Sequence, residues 1–354
     1  MDTERPSSAA FLAKFPIDSW PTLLLVDPRT ERPLLRWLGS VTDTQLVQLL
    51  DDGERAFRPA GADPLQAAVA DADRLQGSGR SADAAKAFAE LLRKAPPDWR
   101  DRTRIEESLV LALEDAGEWQ ACAETARTSR LPSGHSRSDV LGTGLLCALE
   151  APKAAPWRGA ALDAARATAT AELADDAQLA DDRSGLYELL VMDAQQAGRA
   201  GEVKRLAREW LAFLERDARA APDASARAAL DPHRLEAALD ASQPALALPA
   251  LLQSERESPD DFEPPALLAI AYRELGRYPE ALAASERAFS RAQGPRRLRI
   301  LWDRSEIYAK LGDAAARART LRAALDLAAT LPPAQRPARE VNRLREALGA
   351  TQAR

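Results

Sequence analysis

The sequence predicts a mainly α chain, a solenoid of about seven helical hairpins preceded by a small, incomplete α/β segment. Apolar residues make up 46% of the 354 residues but aromatics only 5%, so alanine and leucine fill the apolar positions. That composition favours helices packed closely through small side chains. Glycine turns recur, with Gly79 and Gly117 38 residues apart and Gly276 and Gly312 36 apart. Strand-like patterning appears near the amino end, in two short runs.

Ser7 to Lys14 reads as a short helix with Pro6 at its start. Thr22 to Val26 is an apolar strand, Asp27-Pro28-Arg29-Thr30 supplies a turn, and Leu34 to Leu38 is a second strand ended by Gly39. Thr42-Asp43-Thr44-Gln45 has capping-box spacing ahead of Leu46, Val47, Leu49 and Leu50. The order is helix, strand, strand, helix. Arg58 to Pro64 has the composition of a linker.

Beyond the linker the chain repeats itself. Gly79-Arg80-Ser81-Ala82-Asp83-Ala84-Ala85 with Phe88 and Pro96 matches Gly276-Arg277-Tyr278-Pro279-Glu280-Ala281-Leu282 with Ala288-Phe289. Comparable turns stand at Gly117, Gly198 and Gly312, each reading as helix, turn, helix. Ala269, Ala281 and Ala288 let paired helices approach, while Leu268, Tyr272 and Leu282 fill the space between them. The stretch from Pro337 to Leu348 reads as a capping helix.

Composition also excludes functions. The net charge is −6 and the pI about 5.3, with acidic and basic residues interspersed, so nucleic acid is an unexpected partner. No apolar run reaches the ~18 to 20 residues that span a bilayer. The acidic opening Met1 to Pro6 lacks the features of a signal peptide, which places the chain in the cytoplasm as written.

Asp2, Phe15 and Ile17, Pro21-Thr22 followed by Leu23-Leu24-Leu25, Gly39, and the Thr42 to Leu50 helix resemble the carboxy-terminal half of the thioredoxin fold. The resemblance covers about residues 1 to 57 and implies a cis proline at Pro21. It also makes Trp20, Pro21 and Thr22 a remnant substrate-binding edge. The Cys-x-x-Cys that precedes this segment in that family is missing. The hairpin then has three expected outcomes: docking on its own helices, pairing with another chain, or completion by an upstream half, which is the one favoured.

The repeats resemble tetratricopeptide repeats, whose spacing lies near 34 residues. The match is strongest at 65 to 96 and 264 to 292 and looser at 102 to 130, 184 to 216, 231 to 258 and 298 to 330, with a degenerate pair at 138 to 173. The domains are thus a partial thioredoxin-like segment at 1–57, a linker at 58–64 and a helical repeat domain at 65–349. The resemblance implies a right-handed superhelix. By repeat position Ile270, Arg273, Arg299, Trp302, Glu306 and Lys310 fall on or near its groove. The Lys and Asn residues with which some members clamp a carboxyl terminus are absent, so chaperone-tail recognition is not supported.

The combination looks like that of bacterial chaperedoxins. It implies a non-catalytic adaptor, scaffold or client-holding protein that binds a protein or peptide, with self-association through the exposed hairpin edge as a further possibility. The alternative is a thiol-disulfide oxidoreductase whose catalytic half lies upstream. No cofactor or metal motif is expected. Cys122 and Cys147 are either redox-active, disulfide-bonded or, as favoured, small buried packing residues. His135 and His233 are read as standing alone, the Ser133 to Asp139 segment as a polar loop, and Asp175-Asp176 and Asp181-Asp182 as solvated turn residues.

Overall fold

The computed structural model describes residues 2–15, 17, 21–38, 41–57, 64–174 and 178–352. Trp20, Gly39, residues 58–63 of the expected linker and Asp175-Asp176 lie outside them. The chain forms two compact units, residues 18–199 and residues 1–17 with 200–354.

In the 18–199 unit, β1 (Thr22–Val26) pairs antiparallel with β2 (Pro33–Leu38) as Thr22↔Leu38 through Leu25↔Leu35, with an irregularity before Val26. The Asp27 carboxylate closes the turn, accepting hydrogen bonds from the Arg29 backbone N–H at 2.8 Å and the Thr30 hydroxyl at 2.8 Å. α2 (Asp43–Phe57) starts on the expected capping box. The Gln45 N–H donates to Thr42 Oγ1 at 3.2 Å while Gln45 Oε1 accepts from the Thr42 N–H at 2.9 Å.

Leu35, Trp37 and Leu49 form a buried cluster with Leu23, Leu25 and Val41. β2 packs on α3 (Pro64–Gly77) and touches α5 (Arg102–Asp115). The hairpin therefore docks on its own helices, the first of the three expected outcomes. A two-stranded sheet is marginal alone, and burying Trp37 and Leu35 supplies what it lacks.

α3 pairs with α4 (Ser81–Lys94), α5 with α6 (Trp119–Thr128) and α7 (His135–Glu150) with α8 (Arg158–Glu172); α9 (Ala180–Gln196) follows. Phe88, Ile105, Val110 and Cys122 are fully buried or nearly so in one core. α6 and α7 approach so closely that a Cβ on Gly144 would lie 2.2 Å from that of Ala126.

The other unit runs through α10 (Ala200–Ala220), α11 (Ala224–Ala228), α12 (Asp231–Asp240), α13 (Leu248–Glu257), α14 (Glu263–Glu274), α15 (Tyr278–Arg291), α16 (Arg296–Leu311), α17 (Ala314–Thr330) and α18 (Ala338–Gln352). α14 packs with α15, α16 with α17, and α18 on α17, where the capping helix was expected. Trp210, Leu214, Leu251, Leu268, Leu298 and Leu321 are fully buried. The amino-terminal α1 (Ala9–Lys14) packs on a 3₁₀ turn at Pro333–Gln335. Helix, strand, strand and helix occur in the order the sequence predicts, but α1 belongs to one compact unit and β1, β2 and α2 to the other.

The repeating glycines have one geometric role. Gly79, Gly117, Gly198, Gly276 and Gly312 all have φ between 69° and 75°. At each, the glycine N–H bonds back three residues and the next N–H bonds back five, as in Gly276 to Arg273 at 3.0 Å and Arg277 to Tyr272 at 2.8 Å. This is the Schellman closure, which satisfies the last carbonyls of a helix and needs a left-handed residue. After α12 the same pair of bonds runs from Ser242 to Leu239 and Gln243 to Ala238, with Ser242 at φ 60°. A glycine search misses this turn.

Replacing Ser242 with glycine should raise stability by about 0.5–1 kcal/mol, and replacing Gly276 with alanine, where no neighbour would meet the added Cβ, should lower it by about 1 kcal/mol. Urea unfolding of both variants checks the opposite signs.

Candidate functional site

The residues expected to line a groove stand on α14 (Ile270, Arg273) and α16 (Arg299, Trp302, Glu306, Lys310), which pack against each other. Arg273 lies 3.6 Å from Asp303, whose pKa is raised by burial against the pull of Arg273, Arg299 and Arg343. The Trp302 ring is covered by the Arg343 guanidinium of α18, 3.7 Å from its centroid. Glu306 pairs with Arg317 at 3.0 Å. Arg299 and Lys310 are exposed and make no hydrogen bond or ion pair among the described residues.

One chain segment already sits on this unit. Arg296, at the start of α16, reaches the carboxylates of Asp2 at 3.1 Å and Glu4 at 3.0 Å. The Gln335 amide donates to the backbone carbonyls of Thr3 at 2.8 Å and Arg5 at 2.6 Å. Gly294 leaves the space, since a Cβ there would lie 2.1 Å from the Glu4 carbonyl oxygen. A guanidinium for carboxylates and an amide for carbonyls together hold an acidic turn.

Of the residues at the expected thioredoxin-like edge, Pro21 is exposed and Thr22 begins β1, paired with Leu38. Cys122 and Cys147 are buried as expected but not as free packing residues. They form a disulfide between α6 and α7 with Cα atoms 6.2 Å apart. Both have zero exposure, which keeps the bond from substrates. Two helices of a hairpin array bring side chains 25 residues apart to one point, a proximity that spacing alone did not reveal.

His135 does not stand alone, and its segment is not a polar loop. It is the first residue of α7 and is buried. Its Nδ1 lies 2.7 Å from Asp182 Oδ1 and its Nε2 3.4 Å from Asp139 Oδ2. Asp182 is accordingly buried on α9, not a solvated turn residue, with only 8% of its surface exposed. Asp139 follows His135 by one helical turn and shares its face. Desolvation, only partly offset by His135 and helped by repulsion from the Asp182 carboxylate, pushes the Asp139 carboxyl up to about 7.

Beside it on α5, Glu107 is buried, with 4% of its surface exposed. Its pKa rises to about 8 through burial, with Asp139 adding to the rise and Ser136, His135 and Arg104 opposing it. Trp37 of β2 lines a small cavity together with Glu107 and Asp139. The His135 cluster opens on a cavity of about 270 Å³, lined also by Gly142, Thr143 and Gly185. The i,i+4 pair on α7 was legible, but Asp182 comes from another helix 47 residues on.

No protein-family model matches the sequence, and no curated protein matches it. Among solved structures, a tetratricopeptide repeat protein from Parabacteroides merdae aligns over 81% of this chain and 98% of its own, at 12% identity and a TM-score of 0.50. The fold is thus that of the tetratricopeptide-repeat solenoids, with a small two-stranded sheet added. The TPR2AB domain of yeast Sti1, in its pHSP90 complex, aligns over 80% of this chain and 98% of its own, at 14% identity and a TM-score of 0.28.

Two measurements bear on these groups. Unfolded without reductant, the chain should show no free thiol to a chromogenic thiol reagent, and two after reduction. The folded state keeps the Glu107 proton to a higher pH than the unfolded chain does, so stability should fall as pH rises from about 4 to about 8. Glu107→Gln should flatten that slope and add ~1 kcal/mol or more at pH 8 in denaturant titrations.

Proposed function

We propose that this chain is a non-catalytic protein-interaction protein, working as an adaptor, scaffold or client-holding protein, and that its α14, α16 and α18 face binds an acidic peptide or protein segment. The supporting observation is the grip on Asp2 to Arg5, where Arg296 takes carboxylates and Gln335 takes carbonyls from a segment remote in sequence. Arg299 and Lys310 extend that basic surface along α16, with Arg273 and Arg343 beside them. In this reading residues 65–349 are the binding array, residues 1–57 a thioredoxin-like half and 58–64 the linker between them. Trp20, Pro21 and Thr22 belong to the remnant edge of that half, and Trp20 lies outside the described residues.

The oxidoreductase reading gains no support from Cys122 and Cys147, because their bond is sealed inside the helices. Self-association belongs to the proposal through β1, which pairs only with β2 among the described residues, and through α2, which exposes Val47 and Leu50. No helix among the described residues is long and apolar enough to cross a membrane. Disulfides are commonest in oxidising compartments, so the thiol assay also bears on the cytoplasmic location expected from the sequence.

Fluorescence anisotropy with acidic, basic and scrambled peptide pools tests the reading. Acidic peptides should bind, more weakly as salt rises, and the double change Arg299→Glu and Lys310→Glu should cost about tenfold or more. Sedimentation of the same samples reports self-association. Equal binding of acidic and basic pools, or an unchanged double variant, would sink the proposal.

A further inference from the structure

Buried carboxylates in the 18–199 unit are as a rule met by arginine. Asp73 is forked by Arg104 at 3.1 and 3.2 Å, Asp193 is held by Arg166 and Arg199, and Glu172 by Arg137. The cluster between α7 and α9, in which Asp182 is buried and Asp139 partly exposed, departs from this pattern, as does the buried Glu107. Asp139 and Asp182 are paired only with His135 among the described residues, and no lysine or arginine forms an ion pair with either. Two carboxylates share one imidazole, which carries a single positive charge at most, so the site is short of positive charge.

We propose that His135, Asp139 and Asp182 bind a divalent transition-metal ion of the zinc class. One ligand atom from each residue can be chosen so that all lie within 4.8 Å of one another. Ligands ~2.1 Å from a shared ion stand about 3.0–3.4 Å apart, so modest side-chain rotations converge them. Asp182 supplies the second, independent observation. Its Oδ2 is buried without a hydrogen-bond partner, in a side chain that lines the 270 Å³ cavity. Leaving such an oxygen unmet is costly, and a cation satisfies it.

The donor set selects the ion. An imidazole nitrogen beside two carboxylate oxygens suits zinc or a neighbouring first-row metal, whereas calcium and magnesium prefer all-oxygen shells. Three protein ligands leave at least one coordination position open toward the cavity. Gly142 and Gly185 are among the residues lining it, and having no side chains they leave a way in for the ion.

The full chain, stripped with a chelator and then dialysed free of it, is titrated by calorimetry with zinc, manganese, calcium and magnesium chlorides. One saturable zinc or manganese site per chain is expected, with a matching rise in melting temperature. Asp182→Asn and His135→Gln should each weaken it at least tenfold. Asp139→Asn is the second route if either variant loses its circular dichroism, and Asp98→Asn, exposed elsewhere, should change nothing. A site for calcium or magnesium alone, no saturable binding to any of the four, or undiminished binding in every folded cluster variant would overturn the proposal.

Discussion

The left-handed residue at each helix-to-helix turn is the constraint on which the array depends. A helix of this length ends with carbonyls that have no partner within it, and the chain must reverse at once for the next helix to lie alongside. Schellman closure does both, at the cost of a backbone conformation that glycine adopts freely and other residues do not. Gly79, Gly117, Gly198, Gly276 and Gly312 meet that demand, and Ser242 meets it with strain. Once the turns are set, alanines at the contacts decide how closely the paired helices lie, as Ala84, Ala269, Ala281 and Ala288 show by their complete or near-complete burial.

Against this regular background the two compact units spend polar groups differently. In the 18–199 unit, buried charges hold the small sheet and α2 to the helices. Arg104 forks Asp73 of α3 and lies 3.9 Å from Asp52 of α2, while Gln45 of α2 donates to Ser136 of α7 at 3.0 Å. Removing the guanidinium would leave Asp73 buried and unpaired, so α2, α3 and α5 are fastened through one side chain. In the other unit, Arg296 and Gln335 fasten the acidic amino-terminal turn, and exposed cations continue along α16.

Much of the fold was legible because it is local. The capping box at Thr42 and Gln45, the Asp27 turn, the glycine turns and the terminal helix near Pro337 are all set by residues within about one turn of each other. The candidate site was less so. The α7 half of the His135 cluster could be seen as an i,i+4 pair, but Asp182 reads in isolation as one of two acidic residues before a helix. The cysteines misled for the same reason, since both were placed on helices without knowing that those helices face each other. Repeat position puts Trp302 on α16 but does not tell that the Arg343 guanidinium of the capping helix lies over its ring.

The sequence by itself determined the kind of chain this is. Helical pairs, their turns, the hairpin and the order of elements follow from periodicity and turn chemistry, which act over a few residues. Tertiary structure alone decided where the hairpin docks, that Cys122 and Cys147 are joined, that an acidic turn near the start rests on Arg296 and Gln335, and that one histidine is shared between a buried carboxylate and a partly exposed one. These depend on distances between helices dozens to hundreds of residues apart. Packing sets those distances, and no local pattern records them.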